Sequence, residues 1–383
     1  MVRTSTLTVS LLVGAVLFTS GVGQAAVGQT RGSAADAAGA DRAAEQIAGE
    51  ADAAGGVHRR SFDIQAHRGG MAYLPEGTLP AFENALRIGV TTLELDIQIT
   101  EDGREVVTHD RLINPAKCRD TAPVVEGDPD FPYAGKYVHT LTFAQVRTLD
   151  CGSQTQPDYP EQRPRPGETM PTLREVFQLV RRYGAHDVRF NIETKVEAGA
   201  PEETAPREEF VRVAAREIRR AGMLRRTTIQ SFDWGALMLM RRIEPRLPLI
   251  ALTEPNFLQV GEPGRSPWLG GLDIDDFGGS PVQAARSFGA GALSPVHGTP
   301  QHGVVGDPDY VPFTTRAMVE EAHEAGMKVV PWTINDEATM HKLIDDGVDG
   351  IITDYPRRLR SVAAEHGFEL PKRYRHGHCG GRG

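Results

Sequence analysis

Carboxylates and histidines recur at tight intervals in three short segments of the chain. Residues 94–110 read ELDIQITEDGREVVTHD, placing Glu94 and Asp96 two apart on an apolar strand, then a polar turn, then His109 and Asp110. Side chains two apart on a strand share a face. The same parity links Glu193 and Lys195 in NIETK. If these faces meet at one mouth, Glu94, Asp96 and Glu193 form a ligand set of oxygens with no sulfur nearby. Hard oxygen donors suit Ca2+ or Mg2+ better than Zn2+. The plainer alternative pairs each carboxylate with an Arg or Lys at a rim, which would serve for one carboxylate better than for the set. In QAHRGG, His67 and Arg68 close an early strand, and the two glycines allow close backbone approach. A guanidinium, two histidines and an acid cluster can together hold a phosphate and move protons.

Something must carry these groups to one place. FDIQAH, TTLELDIQI, DVRFNIETK, RTTIQSF, LPLIALT, GALSPV, KVVPWTI and DGIITD read as strands, and the amphipathic stretches between them, such as LPAFENALRIG, read as helices that often stop at a glycine. This alternation implies a closed (β/α)8 TIM barrel, with a doubly wound open sheet as the alternative. No phosphate-loop or dinucleotide glycine pattern follows a strand, which counts against the open sheet. EVVTH stands apart, because too few residues separate it from QIT for a parallel crossover. It must return antiparallel, in a hairpin about TEDG that is expected to set Asp96 opposite His109. Residues 112–170 form an insertion too long for an ordinary barrel loop and are expected to make a lid-like subdomain on the catalytic face.

The 383 residues are 40% apolar and 24% charged, an ordinary globular composition, and the net charge of -9 leaves no basic surplus for binding nucleic acid. Residues 1–26 read as an export signal: Arg3, the apolar LTVSLLVGAVLF, then small residues in GVGQAA. That run is short for a membrane span, so the mature protein is expected to be secreted, with no stable membrane insertion. Residues 27–58 have almost no large apolar side chains and are expected to be a disordered linker. A globular domain is expected over 59–367 and a flexible tail over 368–383. In an oxidising compartment Cys118 and Cys151 are expected to form a disulfide, leaving Cys379 beside His376 and His378 in a frayed tail. Phe232 is expected in the core, and His297 and His302 on a solvent-exposed loop.

His67-Arg68-Gly69, PEGT at 75–78, Glu94-x-Asp96, His109-Asp110, Glu193-x-Lys195, WTIN at 332–335 and GVDGIITDYP at 347–356 follow one another in an order that resembles the glycerophosphodiester phosphodiesterase family. The resemblance spans nearly the whole globular part. It implies a TIM-barrel phosphodiesterase, akin to phosphatidylinositol phospholipase C, that cleaves glycerophosphodiesters to sn-glycerol 3-phosphate and an alcohol with one divalent cation. It further implies Glu94, Asp96 and Glu193 as metal ligands, His67 and His109 as an acid-base pair, and Arg68 and Lys195 as phosphate holders. Gly77 stands where the family usually has Asn. Trp332 could stack on the glycerol portion while Asn335 bonds to it; a core position for Trp332 is equally compatible with the sequence. Two other readings stay open. A phospholipase C- or D-type enzyme on membrane lipids would want an exposed apolar rim, and none is obvious. A silent binding module would be expected to have lost one of His67, Glu94, Asp96, His109 or Glu193, and all five are present.

Overall fold

The computed structural model describes residues 60–375. The export signal, the linker and the tail cluster of His376, His378 and Cys379 lie outside the described residues.

Among the described residues eleven strands run β1 (Asp63–Ala66), β2 (Thr92–Ile99), β3 (Glu105–Val107), β4 (Arg189–Thr194), β5 (Thr227–Ser231), β6 (Leu249–Thr253), β7 (Ala292–Pro295), β8 (Gly298–Thr299), β9 (Val311–Pro312), β10 (Lys328–Val329) and β11 (Gly350–Thr353). Eight of them are parallel and ordered β10-β7-β6-β5-β4-β2-β1-β11. Backbone bonds from Asp349 N to Val329 O (2.9 Å) and from Ile352 N to Pro331 O (3.0 Å) join the two ends of that order. The result is the nearly closed eight-stranded barrel that the alternation predicted. No helix among the described residues is long and apolar enough to cross a membrane.

Parity along β2 divides its side chains between two environments. Leu93, Leu95 and Ile97 pack outward in the main apolar core with Phe82, Phe190 and Phe210. Glu94, Asp96 and Gln98 therefore point the other way, into the barrel, and are buried there. The parallel register sets Glu94 beside Asn191 and Asp96 beside Glu193, and Glu193 beside Gln230. Polar side chains inside the barrel satisfy one another: Asn191 Nδ2 donates to Gln65 Oε1 (3.0 Å) and Gln230 Oε1 (2.7 Å), and Gln230 Nε2 donates to Glu94 Oε1 (2.8 Å).

Helix starts follow the side chains available. Thr78 accepts from Ala81 N to cap Leu79–Ile88, and Thr172 with Glu175 forms a reciprocal capping box at Leu173–Arg182. Besides the one-turn helices Phe143–Val146 and Pro255–Leu258, the alternation does not reveal the helix Pro356–Glu365, which opens with a proline and buries Leu359, Val362 and Ala363. Packed chain also continues into the expected tail: Phe368 and Tyr374 are buried, and the Tyr374 hydroxyl donates to Asp187 (3.1 Å).

The hairpin forms as expected, β3 antiparallel to β2, but its register differs by one. Ile97 faces Val107, and Thr108 N donates to Asp96 O (3.1 Å), so Asp96 stands opposite Thr108, not His109. The cause is the turn. Thr100 N bonds to Arg104 O (2.9 Å), leaving a three-residue loop whose last member, Gly103, has φ +68°. A glycine in that conformation is the usual solution for such a loop, and it centres the fold-back on residue 102. His109 thus lies just past the ladder.

The insertion carries its own small apolar core, including Ile113, Tyr133, Val138, Leu149 and Met170, and its Cys118 and Cys151 are joined.

Candidate active site

The carboxyl ends of the barrel strands open on one cavity of about 800 Å³, lined by His67, Arg68, Glu94, His109, Glu193 and Lys195 on one side and by Phe232, Phe257, Trp268 and Trp332 on another. His67 begins a tight turn after β1, in which Arg68 takes a left-handed φ of +49°. That conformation is uncommon for a side chain with a Cβ. It is fixed from both sides: Arg68 N donates to Glu94 Oε2 (2.9 Å), and Arg68 O accepts from Gly77 N (3.0 Å). Gly77 itself has φ +68°. Gly and Asn are the residues that best tolerate this region, so the exchange of the family's usual Asn keeps the turn.

Glu94, Asp96 and Glu193 each offer an oxygen, all within 4.8 Å of one another, and all three are buried. Burial, then the neighbouring Asp96, pushes the Glu94 carboxyl well above its usual range. Burial likewise pushes Glu193 up to about 7, against the pull of Lys195. Lys195 Nζ lies 2.9 Å from Glu193 Oε1 and 3.9 Å from Asp96 Oδ1. Burial opposes its charge, but these two carboxylates outweigh burial and raise it. Such a cluster is short of positive charge and has the hard oxygens that a divalent cation takes. Arg68 Nε is buried with no hydrogen-bond partner, 3.6 Å from Asp96 Oδ2. A buried, unsatisfied guanidinium N–H marks a place for an acceptor.

Both histidines are backed by a carboxylate. His67 Nδ1 lies 2.6 Å from Asp354 Oδ1. Asp354 Oδ2 accepts from the Tyr159 hydroxyl (2.8 Å) and from Asn335 Nδ2 (2.7 Å). His109 Nδ1 lies 2.8 Å from Asp110 Oδ1, and its Nε2 lies 3.1 Å from Lys195 Nζ. An ammonium can only donate, so Nε2 accepts and the ring proton sits on Nδ1. Consistent with this, burial, followed by Arg68 and Lys195, drives His109 well below its usual range.

Three side chains lie elsewhere than the sequence suggested. Asn335 does not line the cavity: its Nδ2 is spent on Asp354, and its Oδ1 accepts from Asp354 N (3.0 Å). Phe232 is part of the cavity wall, 5.2 Å from the Trp332 ring and edge-on to it, because β5 ends at Ser231 and turns it toward the mouth. His297 is buried at 2% exposure, its ring nitrogens met by the Tyr310 hydroxyl (3.0 Å) and Gln301 O (2.8 Å) of its own loop, whereas His302 is exposed as expected.

The sequence reading gave no role to Asp354, Glu76, Lys117, Tyr159 or Gln230. Glu76 accepts from Arg68 (3.1 Å), Lys117 (3.0 Å) and Gln156 (3.1 Å), and Lys117 also reaches Asp110 (2.8 Å). Lys117, Gln156 and Tyr159 all belong to the insertion, which therefore braces the carboxylates behind both histidines. Glu76 and Asp354 lie within the PEGT and ITDYP motifs, whereas nothing in the sequence points Lys117 or Tyr159 at them.

A mouth that is cationic and carboxylate-lined at once, on the carboxyl side of an α/β barrel, suits a phosphate ester held beside a divalent cation. Residues 67–358 match the family described as the glycerophosphoryl diester phosphodiesterase family, and the chain belongs to it. It is 28% identical over 303 residues to a glycerophosphodiester phosphodiesterase of Bacillus subtilis (strain 168), covering 78% of this chain and 85% of that protein. The crystal structure of a Silicibacter pomeroyi DSS-3 protein assigned to the same family superimposes with a TM-score of 0.66 at 30% identity, covering 82% of this chain and 96% of that one. An Oleispira antarctica phosphodiesterase, solved with its product sn-glycerol-3-phosphate, shares the fold with a TM-score of 0.54 at 20% identity, covering 79% and 96% of the two chains.

Proposed function

We propose that this chain is a secreted, divalent-cation-dependent phosphodiesterase that hydrolyses glycerophosphodiesters to sn-glycerol 3-phosphate and an alcohol. The observation that carries this reading is the convergence of Glu94, Asp96 and Glu193 within 4.8 Å beside the unsatisfied Arg68 Nε. Those three carboxylates would hold Ca2+ or Mg2+, which when bound supplies a Lewis acid for a phosphoryl oxygen.

Arg68 and Lys195 bind the remaining phosphoryl oxygens and stabilise the charge that grows on them. As Lys195 turns to the phosphate it releases His109 Nε2, and that nitrogen accepts the proton of the nucleophile. His67 donates a proton from Nε2 to the departing alkoxide, with Asp354 on Nδ1 fixing its tautomer and orientation. Addition of water thus yields one phosphomonoester and one alcohol. Trp332, held by Nε1–H to Ser294 O (2.9 Å), presents its ring with Phe232 to the carbon side of the glycerol.

A product assay on glycerophosphodiesters with different alcohols, run with and without chelator, tests this. Release of glycerol 3-phosphate that stops on chelation and returns with Ca2+ or Mg2+ is expected, and full turnover after exhaustive chelation would refute the metal site. A lysophospholipid in the same panel separates this reading from cleavage of membrane lipids. Secretion is tested by the amino terminus of the exported protein, expected just after residue 26.

A further inference from the structure

A second cavity, of about 650 Å³, lies on the barrel's outer wall between helices Leu79–Ile88 and Pro356–Glu365, bounded at one end by residues 370–373. It shares no lining residue with the mouth. Arg87, Arg357, Arg360 and Arg373 line it with Asn84 and Ser361, and no Asp or Glu does. In a chain of net charge -9 this is a local inversion of sign.

Three of the four guanidinium groups are poorly compensated. Arg87 pairs with Glu83 and also donates to the Tyr183 hydroxyl (3.2 Å). Arg357 lies 4.7 Å from the Tyr73 ring centre. Arg360 Nη1 is spent on two neutral acceptors, Gly89 O (2.7 Å) and Pro371 O (2.6 Å). Among the described residues, Arg357, Arg360 and Arg373 have no carboxylate within ion-pairing distance. Two further donors at the site, Arg360 Nε and Asn84 Nδ2, are buried with no hydrogen-bond partner. Burial and the nearby Arg373 depress Arg360, as expected of cations crowded together without an anion. Native structures rarely leave buried donors unmet unless something else supplies the acceptor.

We propose that this groove is a second anion site, built for a phosphate group borne by a small molecule or a lipid headgroup. Guanidinium forks match phosphate oxygens in pairs, and the cavity has room for the phosphate and a small organic substituent. Glycerophosphodiester hydrolysis at the mouth does not depend on it.

Equilibrium dialysis of the full chain with labelled inorganic phosphate tests this, using Arg87→Ser/Arg373→Ser for the groove and Arg68→Met for the mouth. Both groove arginines are exposed, and a thermal melt confirms that the double variant folds. Two phosphates should bind the native protein. The double variant should lose one at least tenfold in affinity with kcat and KM unchanged, and Arg68→Met should lose only the other. Sedimentation with phosphatidylglycerol–phosphatidylcholine vesicles, abolished in the double variant, would assign the site to a lipid headgroup; phosphate binding without sedimentation would assign it to a free phosphate compound. A single phosphate that survives the double variant, with no vesicle binding, overturns the second site and leaves the mouth's function standing.

Discussion

His67 and His109 line one cavity, and the chain holds them by different means. The carboxylate behind His67 comes from 287 residues away, is 3% exposed, and is itself gripped by Tyr159 and Asn335. The carboxylate behind His109 is the next residue, is 25% exposed, and is steadied by Lys117. One support is assembled by the closure of the barrel and the other is local to its histidine; the insertion reinforces both, through Tyr159 and Lys117. The contrast separates a partner that only the closed barrel supplies from one that the chain supplies next door.

The most direct way to break this comparison is to remove each ring. His67→Ala and His109→Ala should each lower kcat by roughly a hundredfold or more with the fold kept, and the double variant should be little worse than the weaker single one. Normal turnover in either would remove that histidine from the reaction. Sharper still is the exchange of the supports. Asp354→Asn should lower kcat by on the order of tenfold or more, whereas Asp110→Asn should cost only a few-fold, because Asp354 is the buried and more heavily bonded partner. Equal losses would mean that burial of the supporting carboxylate does not matter.

Two smaller effects probe the insertion. Cys118 and Cys151 enclose a separation of 33 residues, and replacing both by Ser should destabilise the protein by about 3 to 4 kcal/mol in denaturant titrations, with His109 more affected than His67 through Lys117, the neighbour of Cys118. Unchanged stability would assign the crosslink no structural weight. Glu76 offers a pH test. Burial would raise it, but Arg68 and Lys117 hold it down to about 2, against an ordinary value of 4.5. A depressed carboxylate stabilises the fold fully above its unfolded value and loses that contribution as pH falls through the folded one. Melting temperatures of the native protein should therefore drop between about pH 4.5 and 2 more steeply than those of Glu76→Gln, and parallel curves would contradict the assignment.

Much of this was legible from the residues. Period-two alternation fixed which side of β2 bears Glu94 and Asp96, and the order of strands implied the barrel that brings them to Glu193. Alternation assigns a face, however, and says nothing of a partner. Asp354 pairs with His67 only because the last strand lies beside the first, and Asn335 faces Asp354 because the chain after β10 lies against β11, with Ile334 N bonded to Ile352 O (3.1 Å). The hairpin register slipped by one because the loop is closed at Thr100 and Arg104, a choice made by backbone geometry at Gly103. An aromatic beside an apolar strand suggests a core position for Phe232; what decides its place in the cavity wall is that β5 stops one residue earlier. The brace by Lys117 and Tyr159 left no periodic signal, since it arises in irregular chain.

The pairing of β11 with β1, Ala66 beside Thr353, also sets a timetable. His67 leaves the ribosome early and waits for nearly the whole domain before residue 354 arrives to orient it. A nascent or truncated chain ending between β4 and β11 has both histidines and all three clustered carboxylates, yet lacks the seam that orients the first histidine. With His67 in the role proposed above, turnover would report that the barrel has closed.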